Sequence, residues 1–350
     1  MLTLLFLINQ EKCMSSNEQF SIDTAGEYIF SDCLFHFFIS GLSNGGVIFC
    51  TRNEISLKLN SCTFFNCTTY REGGGIYFYS FERGSVEIYK MCVSQCFCFG
   101  DNNRFQFGYF YVDKNGNNTH RSVSVSSRYL GSNSTYNYYI QHGNVFFQNS
   151  NFSKNHLKYY VTITFVLPSV SKISYCSFND NFASGSVFLS IQGNQANVRN
   201  INVINNSLKE KMGYVYYQDG QSVCNITNSS FGKNMEFLFG VFGYSSLFVE
   251  FCIIEHENNW LTFGQVNITQ CFYTHRVDIH TYDIEGYFTQ YCDSGVVDRE
   301  TEKKNGAYYA ITVLVMIFCL LYFINGRKEE RWIEYDRISV DNTALWESTI

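Results

Sequence analysis

Few residues in this 350-residue chain have the type and spacing that chemistry would need. The segment "CFYTHRVDIH" at 271–280 sets Cys271, His275 and His280 near Asp283. A thiolate, two imidazoles and a carboxylate form a zinc donor set, but the spacing fits no standard finger. Carboxylates are sparse: Asp180 and Asp219 stand alone, and Glu255 and Glu257 flank His256. Glycoside hydrolysis needs paired carboxylates, and a calcium-dependent lyase needs acidic ligands beside a basic residue. No Ser-His-Asp order or phosphate-cradling glycine loop occurs. The sequence therefore assigns no catalytic residue, no cofactor and no metal, and reads as a non-enzyme.

Cysteine chemistry is the richer signal. Thirteen of the 14 cysteines precede a hydrophobic run at 307–324, and Cys319 lies within it. None follows, which suits an oxidising exterior and a reducing interior. Cys271 and Cys292 are 21 residues apart, and their disulfide would contribute about 3 kcal/mol by loop closure. Cys33, Cys62, Cys92 and Cys176 each stand two places before a repeated position. They either bridge successive repeats or form a ladder of buried thiols. Cys62 with Cys67, and Cys92 with Cys96 and Cys98, have the alternative of closing local turns.

The repeat that positions these residues is C-x-F-x-x-N. Its anchor falls at Phe35, Phe64, Phe152, Phe178 and Phe231, with Val203, Ile254 and Ser94 in weaker copies. Successive anchors are 29, 30, 58, 26, 25, 28 and 23 residues apart, so one degenerate copy is expected near 121–127. Asn155, Asn181, Asn206 and Asn234 follow their anchors by three, where Phe64 has Cys67. A second half recurs as "NGGVIF" at 44–49, "GGGIYF" at 73–78, "FGYFYV" at 107–112 and "SGSVFL" at 184–189.

Short alternating runs such as "ISLKLNSCTF" at 55–64 indicate strands with one buried face. The unit is too short for a propeller blade and lacks the leucine ladder of a leucine-rich repeat. An all-β fold follows: a right-handed parallel β-helix over 29–264, in which Phe stacks on Phe and Asn on Asn. One unit cannot bury its own apolar face, so the chain supplies the unit repeatedly. Residues 13–28 form a cap, 113–144 an irregular Asn-, Ser- and Tyr-rich insertion, and 265–306 a stem.

The alternation of F-x-x-N, clearest at Phe152–Asn155, Phe178–Asn181 and Phe231–Asn234, with Gly74-Gly75-Ile76 resembles the repeats of polymorphic outer-membrane (Pmp-like) surface proteins. It covers about two thirds of the chain. A single C-terminal hydrophobic helix replaces the transmembrane barrel of the bacterial members, which resembles the membrane-anchored protist type. The resemblance implies a surface antigen acting in adhesion or recognition, without catalysis, with a host-cell glycoprotein or glycan as partner.

Residues 307–324 carry no charge over 18 positions, nearly enough to span a hydrocarbon core of about 30 Å. The apolar run 2–8, within 1–12, reads as a short signal peptide or a truncated start. Together these predict a single-pass type I plasma-membrane glycoprotein with an external N-terminal region and a cytoplasmic tail at 325–350. Sequons at Asn117, Asn133, Asn205, Asn225, Asn228 and Asn267 are glycosylation candidates. Those at Asn66 and Asn151 sit beside core positions. In the tail, Tyr335 and Ile338 of "YDRI" match a tyrosine-based sorting signal for an adaptor. A net charge of −6 without a basic run argues against nucleic acid. The competing classes are a carbohydrate-active β-helix enzyme, a polysaccharide lyase or glycosidase, and a structural coat protein.

Overall fold

A computed structural model describes residues 5–8 and 19–274, with breaks at 42, 100–104, 127–135, 158–161, 184–185, 209–213, 235–236, 256–259 and 263. All of them lie in the first of two compact units, Met1–Ser294. Every regular element among them is a strand, and the strands wind into a parallel β-solenoid of about eight turns. Among the described residues no helix is long and apolar enough to cross a membrane; the run at 307–324 lies outside them.

Each turn has three sides. The first carries Gly26–Ser31, Ile55–Asn60 and their successors up to Gln265–Thr269. The second carries Leu34–His36, Thr63–Phe65 and their successors up to Phe272–Tyr273. These two sides form one 19-stranded sheet, because Ser85–Ser94 and Asn117–Ser126 run unbroken through the corner between them. The third side is a ten-stranded sheet from Phe20–Ile22 to Trp260–Thr262.

Corners are made by single residues in the left-handed region. Between the first two sides these include Asp32, Ser61, Lys90, Asn149, Tyr175, Asn200 and Phe251, all with φ of 51–55°. None of these is glycine, and each costs about 1–2 kcal/mol in this conformation. The ladder supports them: the Asp32 amide donates to Asn60 O at 2.9 Å and that of Ser61 to Tyr89 O at 2.9 Å. One left-handed residue turns the chain while its amide still bonds the next turn.

The interior holds the repeated aromatic anchors. Phe35 packs on Phe64 with centroids 4.7 Å apart, and Phe152 on Phe178 at 5.3 Å with rings 5° from parallel. Both were expected from the anchor spacing. The glycine pair recurs because the backbone is crowded there. Gly45 and Gly73 have φ of 71° and 73°, and a Cβ on Gly46 would lie 1.8 Å from Gly74 O.

Three expectations need correction. Lys90 takes the corner position of Ser61, so Met91 and not Cys92 follows Cys62, and Val93 and not Ser94 stacks on Phe64. Met91 and Val93 point inward because the left-handed corner at Lys90 shifts the alternation of "VEIYKMCV" by one residue, a shift that alignment on the cysteine ignored. The stretch 113–144, expected as an irregular insertion, contributes to the ladder in its described parts; 127–135 lie outside the described residues. Asn117–Ser126 and Tyr136–Gln141 are rungs, hidden in the sequence because inward positions hold Asn118, His120 and Asn137. The ladder also begins before 29 and ends after 264, since Gly26–Ser31 and Gln265–Thr269 pair with their neighbours. Leu5–Ile8, within the expected leader, pairs in parallel with Glu27–Phe30.

Candidate binding face

Parallel strands alternate their side chains, so the first side turns every second residue outward. On five consecutive strands, from Asn117–Ser126 to Val223–Thr227, these residues line a groove of about 720 Å³. One column along the axis runs Arg121, Gln148, Ser174, Arg199 and Thr227. The next runs Thr119, Phe146, Lys172, Asn197 and Asn225. Stacked amides are joined side chain to side chain: Asn225 Nδ2 donates to Asn197 Oδ1 at 3.2 Å, and Asn144 Nδ2 to Asn117 Oδ1 at 3.3 Å. The Lys172 ammonium lies 5.8 Å from the Phe146 ring centre. Amides, hydroxyls, one ring and three cations are groups that hold a polar ligand by hydrogen bonds and charge.

A second surface is aromatic. Phe49, Tyr77, Tyr109 and Tyr139 stack on the outside of the third side, with successive centroids 5.8, 4.9 and 5.5 Å apart. Their faces cover one another, so this ladder is a wall rather than a platform. Burial raises the hydroxyl pKa of Tyr77 and Tyr109.

Three of the carboxylates singled out in the sequence serve the turns; Glu257 and its neighbour His256 lie outside the described residues. Asp219 accepts from the Gly220 amide at 2.7 Å and from Tyr217 Oη at 3.2 Å. Asp180 accepts from the Asn205 side chain and Glu255 from the Lys233 amide. A separate pocket of about 640 Å³ is lined by Asp23, Glu54 and Glu82, where Arg83 holds Glu54 at 3.2 Å. No group of three metal-ligating side chains occurs among the described residues; His275, His280 and Asp283 lie outside them.

Burial explains the cysteines. Cys62, Cys176, Cys224 and Cys252 are buried thiols, and desolvation pushes each up to about 12, so they stay neutral. Cys62 Sγ donates to Phe30 O at 3.4 Å and Cys67 Sγ to Phe35 O at 3.4 Å, each one turn back. Cys33 and Cys92 are each disulfide-bonded. The Cys271 thiol is half-buried and accepts from the Cys252 amide at 3.4 Å. Its expected partner Cys292 lies outside the described residues, as do Asn133, Tyr335 and Ile338. Asn117, Asn205, Asn228 and Asn267 are exposed and Asn225 is half-buried; Asn117 and Asn225 line the groove.

The groove itself was missed in the sequence. Its signal was available: stepping the repeat register outward collects Arg121, Lys172 and Arg199, which stand far apart along the chain. No family model, curated protein or solved structure matches this chain.

Proposed function

We propose that the protein is a non-catalytic recognition module of the cell surface that presents the first side of its solenoid to an extended ligand. The carrying observation is the groove, which spans five strands and is lined by amide, hydroxyl and aromatic side chains. A parallel ladder holds such side chains at fixed intervals of about 4.8 Å, so ordering them for binding costs little entropy. The resemblance to Pmp-like surface proteins, the expected right-handed coil and a type I anchor at 307–324 belong to this reading, with a host-cell glycoprotein or glycan as partner. The tail signal at Tyr335 and Ile338 would govern its residence at the surface.

The full chain displayed on cells should bind a glycan and glycoprotein panel, and Asn197→Trp, which fills the groove, should abolish that binding. In the same cells, added protease should remove an N-terminal tag and spare a C-terminal one. Binding unaffected by the tryptophan, or removal of the C-terminal tag alone, would contradict the reading. The pocket at Asp23, Glu54 and Glu82 favours a carbohydrate-active enzyme as the second reading. That reading requires fragments to be released from soluble glycans and the release to be lost in Glu82→Gln.

A further inference from the structure

We infer that the groove takes a polysaccharide bearing carboxylate or sulfate groups, laid along the solenoid axis. This rests on the recognition reading above and narrows it to a ligand class. Arg121 and Arg199 occupy one column three turns apart, about 14 Å at a strand spacing of about 4.8 Å. Lys172 lies in the adjoining column on a turn between them. All three side chains are exposed, and none forms an ion pair with a described residue. No carboxylate lines the groove. In these two columns carboxylates come only beyond its ends, at Glu87 and Glu250. A chain of net charge −6 thus gathers three unpaired cations in one concavity and keeps its own anions out. Such an arrangement focuses a positive potential on whatever lies there.

The spread of charge argues for a polymer over a single anion. Between the cations stand the amides of Gln148 and Asn197, which donate to and accept from sugar hydroxyls. Phe146 offers an apolar surface to the C–H face of a pyranose ring. A nucleic acid strand fits less well: stacking successive bases takes a row of rings, and the groove has one outward ring.

The purified full chain should be titrated with a heparin hexasaccharide, a hexagalacturonate, maltohexaose and a dodecathymidylate. At least one of the two anionic glycans should bind, more weakly as salt is raised, and maltohexaose should bind far less. Arg121→Gln and Arg199→Gln should each lower affinity about three- to tenfold, and the triple variant with Lys172→Gln should lose binding. Phe146→Ala should lower affinity and leave the salt dependence as it is. Lys233→Gln, outside the groove, should change nothing, and matching unfolding transitions would show that every variant keeps its fold. Equal binding of maltohexaose, preference for the thymidylate, or wild-type affinity in the triple variant would overturn the inference while leaving recognition of another ligand standing. Failure of the chain to bind any of the four probes, or any member of the cell-surface panel, would overturn both.

Discussion

Four asparagines show how one side chain can serve two turns at once. Asn155, Asn181 and Asn206 each donate through Nδ2 to the Oδ1 of the next asparagine at 3.0 Å. Each also donates to an anchor carbonyl one turn back, as Asn181 does to Phe152 O at 3.0 Å. The Oδ1 atoms of Asn181, Asn206 and Asn234 each also accept a backbone amide from the preceding turn, as Asn181 Oδ1 does from Asn155 N at 3.1 Å. Asn181→Ala strips four such bonds from a buried site and should cost roughly 3 kcal/mol in denaturant unfolding. Asn181→Asp should cost at least as much at neutral pH, because it turns a donor into an acceptor facing Asn206 Oδ1 and Phe152 O. Cys67 holds the same place three turns before Asn155 and makes the same backward bond, which is why cysteine substitutes there. His120 is the opposite case. Its Nδ1 meets Tyr138 Oη at 3.1 Å and its ring stacks on Phe147 at 4.5 Å, while Nε2 has no partner among the described residues. Burial lowers its pKa from 6.5 to about 3. The neutral form is the one the fold holds, so this stability is full above about pH 6.5 and is lost as pH falls toward 3. Near pH 4.5 the loss should be roughly 2–3 kcal/mol, and His120→Phe should remove that part of the pH slope, read from unfolding midpoints across pH.

At the scale of the strand and the corner, what was legible depended on whether packing or backbone geometry made the choice. Phe anchors and the Asn ladder were readable, because stacking repeats the same side chain at each turn. The corners were not: left-handed φ falls on Tyr175, Phe251, Lys90 and Phe37 as readily as on Asn. Ladder bonds on both sides pin the conformation there, so local preference leaves little mark on the sequence. The rung Asn117–Ser126 escaped for another reason. Its inward Asn118 and His120 are fully buried, and a buried polar residue cancels the alternation that reveals a strand. The groove needed the register itself, since its five strands come side by side only across turns. Glycine was legible where the backbone needs space. Gly46→Ala would force a methyl to 1.8 Å from Gly74 O, whereas a methyl on Gly41 meets nothing within 4 Å. The first change should therefore lower stability by about 1–3 kcal/mol and the second should be nearly neutral, both read as shifts in denaturation midpoint.

Taken whole, the solenoid has one dominant contact rule: a turn touches the turns before and after it. Its stability then approximates a sum of turn terms and neighbour terms. Substitutions at distant turns should add, and those sharing a ladder should not. Gly46 and Asn181 belong to well-separated turns with no common partner, so Gly46→Ala combined with Asn181→Ala should cost the sum of the two within about 0.5 kcal/mol. Asn155 and Asn181 are joined by two hydrogen bonds, from Asn155 N at 3.1 Å and from Asn155 Nδ2 at 3.0 Å. Either single substitution already breaks the side-chain bond between them, so the double Asn155→Ala, Asn181→Ala should cost less than the sum, by about 1 kcal/mol. Equilibrium unfolding of the five variants and the parent measures both cycles. Strict additivity for the adjacent pair would mean that the amide ladder carries no shared energy. Strong coupling for the distant pair would mean that the turns communicate through something other than their neighbours, and the one-dimensional description of this fold would have to be given up.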